Sequence, residues 1–319
     1  MATAQEKIQS VGVVPVITID SPEQALPLGK ALLAGGLPIA EVTFRTAAGE
    51  AAIRIMRKEL DDLLVGAGTI IDVDGAKRAK AAGAQFIVSP GYDDAVVAYC
   101  QEEGMPIFPG VNSPSQIQEA LRRGLSILKF FPAEASGGIP MLKALSAPFP
   151  TVKFMPTGGI GLGNLGNYLQ ESCVIACGGS WMVPKALISQ GKWDEITRLC
   201  KEAVHAVHGF TFAHLGINEN SNEEAAATAK ALSHLLPPMS EKTNSYFAAD
   251  DIEVMKEPNH GTHGHIGIKT RNVERALQYL KLFGFERIPG SERYADNGSL
   301  KFIYLSPEVG GFAIHIMQG

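Results

Sequence analysis

Between residues 11 and 209, short β-rich runs alternate with helix-patterned stretches, and this regularity leaves few folds open. The series begins with Val11-Gly-Val-Val-Pro-Val-Ile-Thr-Ile19, followed by a helical stretch over Pro22–Leu33. Further apolar runs lie at Ile39–Phe44, Leu63–Gly66, Phe86–Ser89, Ile107–Pro109, Ile127–Phe131, Val152–Pro156 and Val174–Ala176, with helical patterns such as Gly75–Ala82 between them. Eight βα units in about 200 residues fit a small parallel (β/α)8 barrel better than an open doubly wound sheet of five or six strands. A helix over Trp193–His208 would close it.

After Gly209 the texture changes, which divides the chain into a barrel domain, residues 1–209, and a second domain, residues 210–319. The second domain contains an internal repeat. His214-Leu-Gly-Ile217 recurs as His265-Ile-Gly-Ile268, each followed by a helical pattern, Glu223–Leu235 and Val273–Leu282. Ile252-Glu-Val-Met255 likewise has a counterpart in Ile314-His-Ile-Met317. The repeat predicts an α+β domain of two paired βαβββ modules.

Composition narrows the class of function. With 28 Lys and Arg against 33 Asp and Glu, the net charge is -5, and no basic run marks a nucleic-acid partner. No stretch of 18 uninterrupted apolar residues occurs, and the first residues lack a basic segment leading into an apolar one, so a cytoplasmic protein with no membrane partner is expected. Four cysteines in 319 residues are too few for a disulfide framework; Cys173 and Cys177 read as small buried side chains rather than metal ligands.

In a (β/α)8 barrel, chemistry stands at the carboxyl ends of the strands. The second run ends in Glu41-Val-Thr-Phe-Arg45, where alternation sends Glu41 and Thr43 to one side and Arg45 lies just beyond. A buried carboxylate near an arginine suits acid/base chemistry on an anionic substrate. The sixth run places Lys129 in an apolar strand on the face of Ile127 and Phe131. Desolvation favours a neutral amine able to attack a carbonyl; a snorkelling lysine or a structural ion pair with Glu41 is the equal alternative. The seventh and eighth runs end in Pro156-Thr157-Gly158-Gly159-Ile160-Gly161 and Gly178-Gly179-Ser180. Such glycines make either tight turns or a phosphate cradle, and two on adjacent strands favour phosphate.

Taken in order, Glu41-Val-Thr-Phe-Arg45-Thr, Gly66-Ala-Gly-Thr69, Ser89-Pro90-Gly91, Pro109-Gly-Val111, Lys129-Phe-Phe-Pro-Ala-Glu134, Pro156-Thr-Gly-Gly-Ile160 and Gly178-Gly-Ser-Trp181 make residues 5–209 resemble the 2-keto-3-deoxy-6-phosphogluconate / 4-hydroxy-2-oxoglutarate aldolase family. The resemblance implies a class I aldolase with Lys129 as Schiff-base lysine, Glu41 as general acid/base and Arg45 as a carboxylate contact. It implies Thr69, Pro90, Phe131 and Thr157 around the pyruvyl group, and Gly158, Gly159, Gly179 and Ser180 around the phosphate. It further implies cleavage of a phosphorylated keto acid to pyruvate and glyceraldehyde 3-phosphate without a cofactor, in a homotrimer. Unphosphorylated 4-hydroxy-2-oxoglutarate and the galactonate epimer are alternative substrates. One departure is Asn112, where a small residue or Thr is more familiar.

Residues 210–319 resemble the vicinal oxygen chelate superfamily, which includes glyoxalases. The metal positions of that fold fall here on His214, Glu253, His265 and His315, competent ligands for divalent zinc, nickel, manganese or iron. His260 and His263 lie close by in sequence. The alternatives for this domain are a separate metalloenzyme, a ligand-binding module, or hydrogen-bonded histidines holding no metal.

Overall fold

The computed structural model describes residues 3–319, which form two compact units, one up to Val207 and one from His208 onward. The first opens with helix α1 (Ala4–Val11), a short helix that buries Ile8 and Val11. Thr3 caps it: the Thr3 hydroxyl accepts from the Glu6 N–H at 3.2 Å, and the Glu6 carboxylate accepts from the Thr3 N–H at 2.8 Å. Gly12, at φ +73°, ends the helix, so Val11 is its last residue rather than the start of a strand.

Strands β1 (Val13–Ile17), β2 (Ile39–Thr43), β3 (Leu64–Gly68), β4 (Ile87–Val88) and β5 (Ile107–Phe108) pair in parallel in that order. After β6 (Gly110–Val111), β7 (Ile127–Phe130) and β8 (Lys153–Phe154) continue the parallel series, and β9 (Cys177–Gly179) pairs with the other side of β1. Only Pro109 separates β5 from β6. It has no N–H to donate, but its carbonyl accepts from the Lys129 N–H at 2.9 Å. Bridges Phe154↔Val174 and Thr157↔Gly178 carry the pairing from β8 to β9. The result is a curled parallel sheet with helices between the strands, a TIM-barrel-like fold.

The eighth strand differs from expectation. The apolar run Val174–Ala176 makes only a bridge to Phe154, and the residues in register with β1 are Cys177, Gly178 and Gly179. Apolarity cannot locate such a strand, because space selects its residues: a Cβ on Gly178 would lie 2.4 Å from Thr157 Oγ1. The third strand likewise runs on to Gly68, beyond the expected end at Gly66.

Helices α2 (Ala25–Ala34), α3 (Ala48–Glu59), α4 (Val73–Ala81), α5 (Asp94–Glu102), α6 (Pro114–Arg122), α7 (Gly138–Ser146), α8 (Leu162–Gln170), α9 (Lys185–Ser189) and α10 (Trp193–His208) fill the crossovers and follow the last strand. Asp72 and Asp93 cap α4 and α5 by accepting from Gly75 N at 2.7 Å and Val96 N at 2.9 Å. On α3, Ala52, Ile53 and Met56 are fully buried at helical spacing. Burying an Ile or Met side chain contributes about 1.5–3 kcal/mol.

The second unit is built on one nine-stranded sheet. Its elements are β10 (Thr211–Asn218), α11 (Asn222–Ser233), β11 (Met239–Glu241), β12 (Ser245–Ala248) and β13 (Ile252–Met255), then β14 (Gly264–Thr270), α12 (Val273–Lys281), β15 (Glu286–Arg287), β16 (Arg293–Tyr294), β17 (Leu300–Val309) and β18 (Phe312–Gln318). The strand order β11-β12-β13-β10-β14-β18-β17-β15 reads alike from both ends, with β16 added beside β17. Alternation separates the two faces. On one, Ala225 and Ala229 of α11 pack on Tyr246 and Val254, and Val273, Ala276 and Leu277 of α12 pack on Ile303, Leu305 and Ile316. The intervening residues Glu253, Tyr304 and His315 therefore face the opposite side.

Candidate functional sites

In the barrel, the in-register pairs Val16↔Glu41 and Gly110↔Lys129 fix the depth of the two reactive side chains. Lys129 Nζ lies 3.5 Å from Glu41 Oε1, with the lysine side chain 6% and the glutamate 0% exposed. Neither carboxylate oxygen of Glu41 has a hydrogen-bond partner. Space for this carboxylate comes from Gly68, where a Cβ would lie 2.3 Å from Oε1. Lys129 Nζ also lies 5.1 Å from the centre of the Phe131 ring. A buried amine beside a carboxylate with unused acceptors can form an imine and shuttle a proton.

A cleft of about 450 Å³ is lined by Arg45, Phe131, Thr157, Gly158, Gly159, Gly179 and Ser180 among the expected residues. Thr69, Pro90, Lys129 and Glu41 are not part of that lining. Thr69 has φ +61°, an uncommon conformation for a β-branched residue, at the exit of β3. The Pro90 carbonyl presses on Gly110, where a Cβ would meet it at 2.1 Å. The loop Gly158–Gly159 is held from behind: Ala133 N–H donates to Thr157 O at 2.8 Å and Glu134 N–H to Gly158 O at 3.1 Å. The Glu134 carboxylate in turn accepts from the Tyr168 hydroxyl.

These features agree with comparisons to known proteins. Residues 4–199 match the family model described as KDPG and KHG aldolase. The chain belongs to the KDPG and KHG aldolase family. It is 47% identical over 207 residues to the 2-dehydro-3-deoxy-phosphogluconate aldolase of Treponema pallidum, covering 65% of this chain and 99% of that protein. It is 42% identical over 203 residues to the KHG/KDPG aldolase of Escherichia coli, covering 63% and 95%. Among solved structures, the KDPG aldolase of Legionella pneumophila, captured with pyruvate as a covalent carbinolamine, is 44% identical with TM-score 0.61, covering 63% of this chain and 98% of that one. The Zymomonas mobilis enzyme, solved with 3-phosphoglycerate, is 37% identical with TM-score 0.59, covering 63% and 95%. These KDPG and KHG aldolase matches concern the first unit.

In the second unit, the four residues proposed as ligands come together on the sheet face away from the helices. Gly216 is in register with Glu253 on one side and His265 on the other, and Gly267 with His214 and His315. The Nε2 atom of His214 lies 3.1 Å from that of His265 and 3.1 Å from that of His315. Glu253 Oε2 stands 3.2 Å from His265 Nε2 and 3.4 Å from His214 Nε2. Ser245 donates to the other carboxylate oxygen at 2.7 Å. His260 packs on Tyr304 with ring centres 4.3 Å apart, and His263 stands beside Phe312 at 5.8 Å; neither joins the cluster.

The electrostatics follow from burial. Desolvation, then the neighbouring His214 and His265, pushes His315 down to about 3; desolvation and His265 also lower His214, with Glu253 opposing. Burial alone would raise the Glu253 carboxyl, but hydrogen bonds from His265 and Ser245 and the charges of the histidines lower it overall. Neutral imidazoles and an ionised carboxylate are the protonation states that bind metal.

Sequence reasoning missed the two glycines. A Cβ on Gly216 would lie 2.1 Å from the His265 ring, and one on Gly267 2.8 Å from that of His214 and 2.9 Å from that of His315. The signal was present as a His-x-Gly spacing in both copies of the repeat.

Proposed function

We propose that the first unit is a class I (β/α)8 aldolase barrel that cleaves 2-keto-3-deoxy-6-phosphogluconate to pyruvate and glyceraldehyde 3-phosphate through a Schiff base on Lys129. The observation that carries this reading is the buried Lys129–Glu41 pair, at 3.5 Å, with Lys129 Nζ 5.1 Å from the ring of Phe131, which lines a cleft bordered by glycine loops. Lys129 attacks the C2 ketone, and loss of water gives a protonated imine. Glu41 takes the C4 hydroxyl proton as the C3–C4 bond breaks, its electrons entering the imine to leave an enamine while the aldehyde departs. Glu41 returns a proton to C3, and water releases pyruvate and the free amine. Arg45 would bind the carboxylate, Thr69, Pro90, Phe131 and Thr157 the pyruvyl part, and Gly158, Gly159, Gly179 and Ser180 the phosphate. Borohydride reduction in the presence of pyruvate should place the reduced pyruvyl mass on the Lys129 peptide. Label on another lysine, with Lys129→Ala still active, would overturn the assignment.

A second reading concerns the module pair of residues 210–319, for which the vicinal oxygen chelate resemblance and the four converging side chains support a divalent metal site. An imidazole nitrogen carries one proton or one lone pair, so His214 Nε2 cannot satisfy both neighbouring Nε2 atoms by hydrogen bonding. Donors 3.1–3.4 Å apart match the edges of a polyhedron whose metal–ligand distances are about 2.0–2.2 Å. His214, His265, His315 and Glu253 would hold the metal, which would act as a Lewis acid when bound. Elemental analysis of the purified chain and of a His214→Ala, His265→Ala variant tests it; equal metal in both would sink the site. Homotrimeric assembly, as the family resemblance implies, completes the proposal; sedimentation tests the assembly.

A further inference from the structure

The cleft that Phe131 and the glycine loops line also holds two cations, Arg45 and Lys185, and no carboxylate. They stand on different supports. Arg45 follows β2 and Lys185 follows β9, and these strands flank β1 on opposite sides. Arg45 therefore serves one side of the cleft, and Lys185 the side bordered by Gly179 and Ser180. The Lys185 ammonium is held by Asp20, Nζ to Oδ1 3.0 Å, with side chains 56% and 48% exposed. An exposed pair of this kind is weak and exchangeable. The ammonium has three donors and Asp20 engages one, which leaves Lys185 able to turn to a second anion.

The chemistry of the two cations differs in the same sense as the two ends of the substrate. A guanidinium fork matches a planar carboxylate, whereas an ammonium on a flexible stem is a point charge suited to a phosphate dianion. Backbone N–H groups of the Gly158–Gly159 and Gly179–Ser180 loops can orient a phosphate but carry no full charge. Resting on the aldolase reading above, we propose that Lys185 is a specificity-determining residue: it supplies the full positive charge for the distal phosphate, giving up its competing pair with Asp20 when the substrate arrives. The preference for phosphorylated over unphosphorylated keto acids then depends on Lys185, separately from the imine chemistry.

The test compares kcat/KM for 2-keto-3-deoxy-6-phosphogluconate with that for 4-hydroxy-2-oxoglutarate in the full chain and in Lys185→Ala, Lys185→Arg and Asp20→Asn variants. The ratio of the two should fall about tenfold in Lys185→Ala, through KM of the phosphorylated substrate with kcat kept, as for the loss of a charge-assisted contact. Lys185→Arg should recover most of it, and Asp20→Asn should lower that KM. The salt dependence of the phosphorylated reaction should weaken in Lys185→Ala. An unchanged ratio in Lys185→Ala would overturn the role, since a purely structural lysine would move both substrates together. Failure of the underlying reading looks different: a wild-type chain whose Lys129 is not trapped by pyruvate and borohydride would remove the Schiff-base assignment, and one indifferent to the phosphate would remove the phosphorylated substrate; either takes this role with it.

Discussion

Glu41 occupies an unusual chemical position, a fully buried carboxylate whose oxygens accept no hydrogen bond and whose nearest cation is Lys129 at 3.5 Å. Unused acceptors inside a core cost stability unless a partner arrives, so the group is suited to a bound substrate or water. Glu41→Gln should still trap pyruvate on Lys129 but cleave substrate about 10²-fold more slowly, the range of a lost general acid/base. Wild-type turnover in that variant would send the search for the proton shuttle elsewhere. His208 offers a second test at this scale. It is buried against Phe210 and Tyr279, with ring centres 5.1 and 4.3 Å away, and neither ring nitrogen has a partner. Burial, then Arg275, pushes its pKa from 6.5 down to about 3. The unfolded chain therefore takes up this proton first as pH falls, and the stability present above pH 6.5 drains away toward pH 3. His208→Phe should flatten that part of the denaturation-midpoint profile against pH; an equally steep profile would show that other groups dominate it.

At the scale of elements, both sites depend on glycines that remove a Cβ from a strand. Gly68 in β3 gives Glu41 its room, and Gly216 and Gly267 in β10 and β14 let the histidine rings lie over the sheet. Gly216→Ala should cost metal binding by turning the His265 ring away, while pyruvate trapping on Lys129 persists; undiminished metal content would show that the ring can shift without leaving the site. Strand parity supplies the rest. The register pairs Gly216↔Glu253, Gly216↔His265, Gly267↔His214 and Gly267↔His315 put all four donors on one face, and a slip by one residue would send any of them into the helix-covered core.

For the whole molecule, the two proposed sites predict responses to two different ligands. A ligand that binds only the folded state stabilises by mass action, about 2.7 kcal/mol at a hundredfold excess over Kd. Added zinc should raise the unfolding temperature of the wild type and not of His214→Ala, and pyruvate that of the wild type and not of Lys129→Ala; a calorimetric shift that survives the substitution would contradict the corresponding site. No described helix is long and apolar enough to cross a membrane.

Much of this was legible in the chain itself, because local physics writes it there. The alternation of apolar runs and helical stretches marks a parallel α/β unit, Lys129 and Glu41 declare themselves as charges within apolar strands, and the His-x-Gly repeat marks two equivalent first strands. The position of β9 was not legible, because the space left by Thr157 decides it; helix α1 is written locally, in the Thr3–Glu6 cap, but apolar runs alone do not show it. Only the tertiary structure could bring His214 within 3.1 Å of His315, a residue 101 positions away, or set Lys185 beside Asp20 at the rim of a cleft. The physical reason is range. Hydrophobic period, capping and strand parity act over a few residues and are carried by sequence, whereas proximity between distant residues is created by register and crossover connections, which exist only once the sheet has closed.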